Sequence, residues 1–389
     1  MIVIVEAVRT AMGGFQGSLS SYTAPDLGAA AIKEVVARSG LQPNEIDEVI
    51  MGCVLPAGLK QGPARQAMRQ AGLPDATGAT TINKICGSGM KAVMQAADAI
   101  KAGSAEIVVA GGMESMSNAP YLMDKARAGF RMGHGKVTDH MFQEGLEDAE
   151  TGLSMGILAQ DMADKKGYTR EQQDQYAIAS LNKAVAAIEG GFFKDEIVPV
   201  VVSSRKGEVT VDQDEQPLNA KVDKIPSLRP AFKKDGTITA ANASSISDGA
   251  SALLVTSSEI AAERGLTPLA NIVAYASHSQ HPSEFTIAPV GAIEKVLKQT
   301  GWNAKEVDLW EINEAFAMVT MAAIDAFDLD TAKVNINGGA CALGHPLGSS
   351  GSRIIVTLIH ALKRTGGKKG IAALCIGGGE ATAIAVELV

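Results

Sequence analysis

Aromatic side chains are scarce in this chain, at 4% of 389 residues, whereas glycine reaches 41. An interior with so few rings has to be filled by Ala, Val, Ile, Leu and Met, with backbones in close approach at many points. Basic residues do not outnumber acidic ones: 35 Lys and Arg stand against 43 Asp and Glu, a net charge of −8. That balance speaks against nucleic acid as a partner, since such a surface needs a basic stripe. A few local cations could still hold an anionic small ligand. No apolar run approaches the ~20 residues of a membrane span, so no membrane partner is expected. The N-terminus, MIVIVEAVRTAMGG, lacks a basic region and reads as a β-strand rather than a signal peptide. A cytoplasmic protein is expected. Cysteine is sparse too. Cys53, Cys86, Cys341 and Cys375 form no C-x-x-C pair, which speaks against a zinc site or a thioredoxin-like redox pair, and a disulfide framework is out of place at this length.

What is present is a duplication. AIKEVVARSGLQPNEIDEVIMGC (31–53) lies over AIEKVLKQTGWNAKEVDLWEINE (292–314), with Gly40 on Gly301 and Asp47 on Asp308, an offset of 261 (301 − 40). Each copy reads as an amphipathic helix, a glycine stop, an acidic turn and a β-run. The pattern continues in GSGMKAVMQAADAIKAG (87–103) against GSSGSRIIVTLIHALKRTG (348–366), and in IVVAGGMES (107–115) against ALCIGGGEA (373–381). Alternating helices and strands in both copies imply an α/β fold with a pseudo-symmetric, layered core. The expected division is 1–117 plus 247–268 for the first half, 118–246 for an insert rich in loops and charge, and 269–389 for the second half. Inside the insert, Thr169 and Gln172 have the spacing of a capping box. The insert suits ligand-gripping or a structural, oligomer-forming role.

Two turns concentrate the chemistry. In TINKICGSGMKAV a β-run delivers Cys86 into Gly87-Ser88-Gly89 and a helix follows. Helix N-terminal N–H groups favour negative charge, so the local context predicts a thiol pKa below the free value of ~8.5. Gly87 and Gly89 would let a substrate carbonyl reach the backbone. Ser88 is a rival nucleophile, although G-x-S-x-G is not satisfied. On context alone Cys86 is either a nucleophile or a small buried hydrophobe. The second copy offers NGGACALGHPLGSSG, where His345 sits in a glycine-rich turn held extended by Pro346, a setting that suits a general base. Cys375 ends the strand IAALCIGGG, whose glycines could present N–H groups to an oxyanion. Asn313, in EINEAFA, would cap the helix after it or hold a polar group at the same sheet end. Glu314 beside it suits an acid, a base or a helix first turn. Cys53 and Cys341 read as filler. His360 reads as a helix packing or surface residue.

Together NKICGSGMKAV, NEAFA, GGACALGHPLGSSG and LCIGGG resemble, in order, the catalytic loops of the thiolase family, the acetyl-CoA C-acyltransferases. GGMESMSNAP and LRPAFKKDGTITAANASSISDGA (228–250) are similar as well, so the resemblance spans the chain. It implies a five-layer αβαβα fold of two duplicated halves carrying a loop domain. It also implies ping-pong acyl transfer in which Cys86, deprotonated with help from His345, becomes the acyl carrier and Cys375 moves the α-carbon proton. His345 with a water on Asn313 would form one oxyanion hole, and the N–H groups of Cys86 and Gly377 the other. Ser244 would meet the pantetheine arm of coenzyme A, Lys221, Lys224 or Arg229 its phosphates, and Met155, Phe285 and Phe316 would shape the acyl pocket. Coenzyme A thioesters are substrates, no cofactor or metal is implied, and a homodimer or homotetramer is expected.

Short-chain members often carry His-Met-Gly where this chain has Ser154-Met155-Gly156, and Met-Gly where it has Phe285-Thr286. These positions shape the acyl pocket and count against one exclusive to acetoacetyl-CoA, whereas MESMSNAPY favours the short-chain, biosynthetic-like branch. The resemblance implies acetyl-CoA condensation and the reverse thiolysis, with a thiolase of broader or longer chain range acting in degradation as the alternative. A ketoacyl synthase would lack Cys375 in this role. A non-catalytic CoA- or lipid-binding relative would have lost Cys86 or His345, and both are present.

Overall fold

The structure, a computed structural model, describes residues 1–204 and 207–389. The first half runs β1 (Ile2–Thr10), α1 (Ala24–Ser39), β2 (Glu48–Gly52), α2 (Pro63–Gln70), β3 (Gly78–Ile82), α3 (Ser88–Lys101) and β4 (Ile107–Ser115). A long excursion carrying α4 (Met155–Lys166) and α5 (Arg170–Glu189) precedes the closing strand β5 (Ser247–Ser257). The second half runs β6 (Ala270–Ser279), α6 (Ala288–Thr300), β7 (Leu309–Ile312), α7 (Ala317–Phe327), α8 (Leu347–Thr365), β8 (Lys369–Ile376) and β9 (Glu380–Leu388). No helix among the described residues is long and apolar enough to cross a membrane.

The main path across the sheet is β7-β8-β9-β6-β1-β5-β4-β2-β3. Each half pairs its outer strands in parallel (β3-β2-β4 and β7-β8) and adds antiparallel ones toward the middle of the sheet. The halves meet at β1–β6, through Val3 opposite Asn271 and Ile4 opposite Ala270. Strands such as β4 are buried along their whole length and apolar on both faces, as a sheet covered on two sides requires. Side-chain clusters define the layers. Leu27, Ile32 and Met68 of α1 and α2 pack on the outside of the first half-sheet. Met90, Val93, Ile354 and Leu358 of α3 and α8 fill the space between the half-sheets. Ile293, Val296 and Ala323 of α6 and α7 cover the outside of the second. The five-layer αβαβα arrangement follows.

The duplication is visible in the caps. Gly40 and Gly301 both end a helix with left-handed φ, 79° and 70°, where a Cβ would be strained. Asp47 accepts the N–H groups of Glu106 and Ile107 at 2.8 and 2.9 Å, and Asp308 accepts those of Lys368 and Lys369 at the same two distances. The capping box at Thr169 and Gln172 is formed.

The excursion is stitched back to the core by charge. Arg9 on β1, fully buried, donates to Glu196 at 2.5 Å and to Asp214 at 2.7 and 2.8 Å. Removing one partner of such a pair strands the other in a dry interior, at about 3–5 kcal/mol.

Candidate active site

Helices α3 and α8 cross at their N-terminal ends, and glycine is what lets them. A Cβ on Gly89 would lie 2.5 Å from Ser352 Oγ, and one on Gly351 would lie 2.5 Å from the Met90 nitrogen. The approach is reciprocal, each glycine facing the other helix one residue past the partner glycine. The turns leading into the two helices, Cys86 in one and His345 in the other, are thereby brought to a single cavity.

That cavity has a volume of about 220 Å³ and is lined by Cys86, His345, Cys375, Gly377, Ser244, Met155, Phe285 and Phe316, together with Phe142, Leu146, Phe232, Ala243 and Leu347. Four of the chain's nine phenylalanines stand in its wall. Phe232 and Phe285 each meet Phe316 edge-on, with ring centroids 6.1 and 6.3 Å away, the geometry that aromatic quadrupoles favour. The volume lies below the ~300–1,000 Å³ of pockets that take drug-sized ligands, so it suits a small group on the end of a chain.

Cys86 follows a strained residue. Ile85 has φ 49°, a left-handed conformation that costs a β-branched side chain roughly 1–3 kcal/mol. The turn is over-determined by hydrogen bonds. Asn83 Oδ1 accepts the Ile85 N–H at 2.9 Å, while Ser88 Oγ accepts from the Lys84 N–H at 2.8 Å and donates to the Ile85 carbonyl at 2.6 Å. Ser88 is thus fully used and fully buried, and it is no rival nucleophile. Gly87 and Gly89 serve packing, since a Cβ on Gly87 would lie 2.3 Å from Ile376 Cδ1.

The expected fall in the Cys86 pKa is overturned. Burial pushes the thiol up to about 11, against the N–H groups of Gly377 and of Cys86 itself, which point at the sulfur and favour the thiolate. The helix terminus acts in the direction expected, but desolvation is larger. Burial, reinforced by the neighbouring Cys86, also holds Cys375 well above the usual thiol range. Both thiols carry their protons at neutral pH, and a base is needed to take one.

His345 is poised to be that base. Its Nδ1 lies 2.5 Å from Ser350 Oγ, and Ser350 donates its one proton to the Pro346 carbonyl at 3.0 Å. Ser350 therefore accepts from Nδ1–H, which leaves the lone pair on Nε2. Nε2 is buried and has no hydrogen-bond partner among the described residues. Burial and the Arg353 cation push the imidazole down to about 3, so it is neutral at physiological pH.

Asn313 does not cap α7, whose N-cap is Phe316. It is 1% exposed, and both polar atoms of its side chain lack partners among the described residues. Such a group is costly unless a water or a substrate oxygen meets it. Glu314 accepts from Tyr176, Ser180, Asn335 and the Cys341 N–H at 2.7–3.1 Å. Its oxygens tie α5 to Asn335 and to the stretch that leads into the His345 turn, a structural task.

The basic residues fall elsewhere. Lys221 and Lys224 line a separate cavity of about 350 Å³, beside Ser245 and Cys341, and Arg229 is exposed outside both cavities. Cys53 donates to Glu114 at 3.7 Å, and His360 meets the Ala7 carbonyl at 2.9 Å. Reasoning from sequence missed Glu114, which is fully buried and accepts the N–H groups of Val54, Leu55 and Gly348 at 2.9, 3.1 and 2.8 Å. It pins the start of α8 beneath the His345 turn. A carboxylate inside the apolar strand IVVAGGMES was the available signal. Phe232 and Leu347 of the cavity wall carried no such mark.

Comparison with known proteins gives one answer across the chain. Residues 2–259 match the family model described as thiolase, N-terminal domain, and 266–388 that described as thiolase, C-terminal domain. An acetyl-CoA acetyltransferase of Pseudomonas aeruginosa is 52% identical, over 98% of this chain and 98% of that protein. One of Cupriavidus necator is 51% identical over 99% of each. Among solved structures, the acetyl-CoA acetyltransferase of Bacillus anthracis superposes with a TM-score of 0.97 at 43% identity, covering 100% of this chain and 98% of that one. The Acat5 thiolase of Ascaris suum, solved in complex with coenzyme A, gives 0.94 at 44% identity and covers 100% of both chains.

Proposed function

The chain belongs to the thiolase family, and from that premise we propose that it joins two acetyl-CoA molecules into acetoacetyl-CoA and free coenzyme A, and runs the reverse thiolysis, through an acetyl group carried on Cys86. The observation that carries this reading is the meeting of Cys86, His345, Cys375 and Gly377 in one small cavity, with the Nε2 lone pair of His345 unpartnered.

The proton accounting closes with these groups alone. His345 Nε2 takes the Cys86 proton as the sulfur attacks the thioester carbon. The tetrahedral intermediate collapses, the C–S bond to coenzyme A breaks, and Cys375 gives its proton to the departing thiolate. The Cys375 thiolate then removes a proton from the α-carbon of a second acetyl-CoA. The resulting carbanion attacks acetyl-Cys86, forming the new C–C bond and expelling the Cys86 thiolate, which recovers its proton from His345. Oxyanions formed on the way need donors already in place. The N–H groups of Cys86 and Gly377 would serve the first, and His345 with a water on Asn313 the enolate. No further cofactor or metal takes part.

Ser244 would meet the pantetheine arm, and Lys221, Lys224 or Arg229 the phosphates farther out. On this reading 118–246 is a cover laid over the thioester by the halves 1–117 plus 247–268 and 269–389, supported by the contribution of Met155 and Phe232 to the cavity wall. The ring of Phe232, Phe285 and Phe316 favours a short acyl group over the broader or longer chains of degradation. We keep the cytoplasm as its location, which cell fractionation tests. A homodimer or homotetramer fits the exposure of Tyr121, Met123 and Met132, at 69%, 53% and 86%, since apolar surface of this kind marks contacts. Light scattering giving a monomer would remove that part.

The deciding experiment is mass spectrometry after treatment with acetyl-CoA. The peptide holding Cys86 gains about 42 Da, the increment of one acetyl group in covalent catalysis. Cys375→Ala keeps this label, since a departing thiolate can take its proton from solvent, and loses condensation, for which no base then remains; Cys86→Ala loses the label. Acetyl on another residue, or none on the folded wild type, overturns the proposal.

A further inference from the structure

The turn that carries Cys86 and the strand end that carries Cys375 are joined by one ion pair. Lys84, two residues before Cys86, places its Nζ 2.6 Å from Glu380 Oε2, five residues after Cys375 and 296 positions away along the chain. The second oxygen of Glu380 accepts from Ser279 Oγ on β6 at 3.0 Å. Glu380 is the first residue of β9, so this end of the pair is anchored to the sheet twice. The other end is anchored by the Ser88 and Asn83 bonds that hold the left-handed Ile85. Between the two anchors, the Ile85 side chain faces Gly377, with atoms 3.7 and 3.9 Å from where a Cβ would stand, and Gly87 is pressed against Ile376.

We propose that Lys84 and Glu380 are positioning residues: their ion pair is a clasp that fixes the gap between the Cys86 sulfur and the Gly377 N–H, and so the register of the two cysteine loops. The inference rests on the acyl-transfer reading for its kinetic consequence, but the gap itself is independent of it. The pair is partly exposed, with side chains 21% and 33% accessible. As a source of stability it is therefore minor, since exposed pairs contribute little. Its leverage is geometric. A donor aimed at a developing oxyanion acts over a few tenths of an ångström, and small misplacements of reacting groups are expensive in rate. The clasp spans the loops at the point where no strand pairing joins them, because β3 and β8 lie in different half-sheets.

The test uses the full-length enzyme with Lys84→Met, Glu380→Gln and the double substitution, read by steady-state thiolysis of acetoacetyl-CoA and by the pH dependence of Cys86 alkylation with iodoacetamide. Each single change lowers kcat about 10-fold and leaves KM within about twofold, the signature of an effect confined to the transition state. The double change is no worse than either single one, because the two remove one and the same contact. The alkylation midpoint rises in all three, since the Gly377 N–H no longer supports the thiolate. Lys305→Met, which breaks the exposed Lys305–Asp328 pair, leaves kcat unchanged and controls for general loss of a surface ion pair. Singles that keep kcat within twofold, or losses that multiply in the double variant, overturn the clasp. So does a KM increase in Lys84→Met alone, which makes Lys84 a substrate contact. If wild type takes no acetyl label on Cys86, the acyl-transfer reading fails and the alkylation profiles still decide the clasp. If it takes the label and the variants match it throughout, the clasp alone fails.

Discussion

The two halves of the chain leave their central strands in opposite ways. In the first, β4 runs out at Ser115 into an excursion that returns only at Ser247. In the second, β8 turns on Gly377, Gly378 and Gly379 and becomes β9 at once. The last two of these glycines have φ near 86–87°, which a Cβ would strain. The tight exit holds backbone N–H groups rigidly beside Cys86, and the long exit supplies a wall with Met155 and Phe232. The same asymmetry runs through the turns ahead of α3 and α8. One holds a thiol kept protonated by burial, and the other an imidazole kept neutral by burial and the Arg353 cation. Duplication supplied two equal frames, and the chemistry lies in where they stopped being equal.

The largest effect should come from breaking the second turn's share. His345→Ala lowers kcat/KM of thiolysis by about 10²–10⁴, the usual worth of a positioned general base. The sign of the pH effect follows from the depressed pKa. His345 holds its lone pair at every pH above about 3, so no His-type loss of activity occurs between pH 7 and pH 5 in the wild type. A pH–rate profile with an acidic limb near 6.5, the unperturbed histidine value, would count against His345 as a buried neutral base. Next in size are the glycines at the crossing. Gly89→Ala and Gly351→Ala each insert a Cβ at 2.5 Å from the opposite helix and should cost about 1–3 kcal/mol, as overpacking does. Denaturant unfolding checks this, and effects that differ by much more than the error would show that the crossing is less symmetric than its contacts. The smallest effect is at the acidic turns. Asp47→Asn and Asp308→Asn each weaken two N–H contacts of matching length and should lose about 1 kcal/mol or less apiece. Equal losses by thermal unfolding would confirm that the frames still match there.

The four loops that meet at the cavity were legible because each is a short contiguous stretch whose glycines and reactive side chains stand side by side. The caps at Gly40, Gly301 and Thr169 were legible for the same reason. What the sequence hid was set by burial and by distance. The pKa of Cys86 was misjudged in direction because the helix terminus is local and written in Gly-Ser-Gly, whereas desolvation comes from Phe, Leu and Met residues scattered over several elements. Gly87 and Gly89 were read as making room for substrate, and they make room for Ile376 and Ser352. Asn313 was open to reading as a helix cap because the helix starts at Ala317, three residues later than the pattern suggests. The Lys84–Glu380 contact had no signal at all, its members being 296 positions apart.

The reciprocal approach of Gly89 and Gly351 has a consequence for how such a site can arise. It puts the pseudo-twofold axis between the two turns, so a pair of identical half-chains would bring two copies of the same side chain to the same point. Two thiols there would have no base, and two imidazoles no acyl carrier. Covalent fusion lifts that constraint, since each copy can then be altered without altering its mate. The cavity of Cys86 and His345 is therefore a broken symmetry: a place where likeness of backbone guarantees proximity, and unlikeness of side chain supplies the reaction.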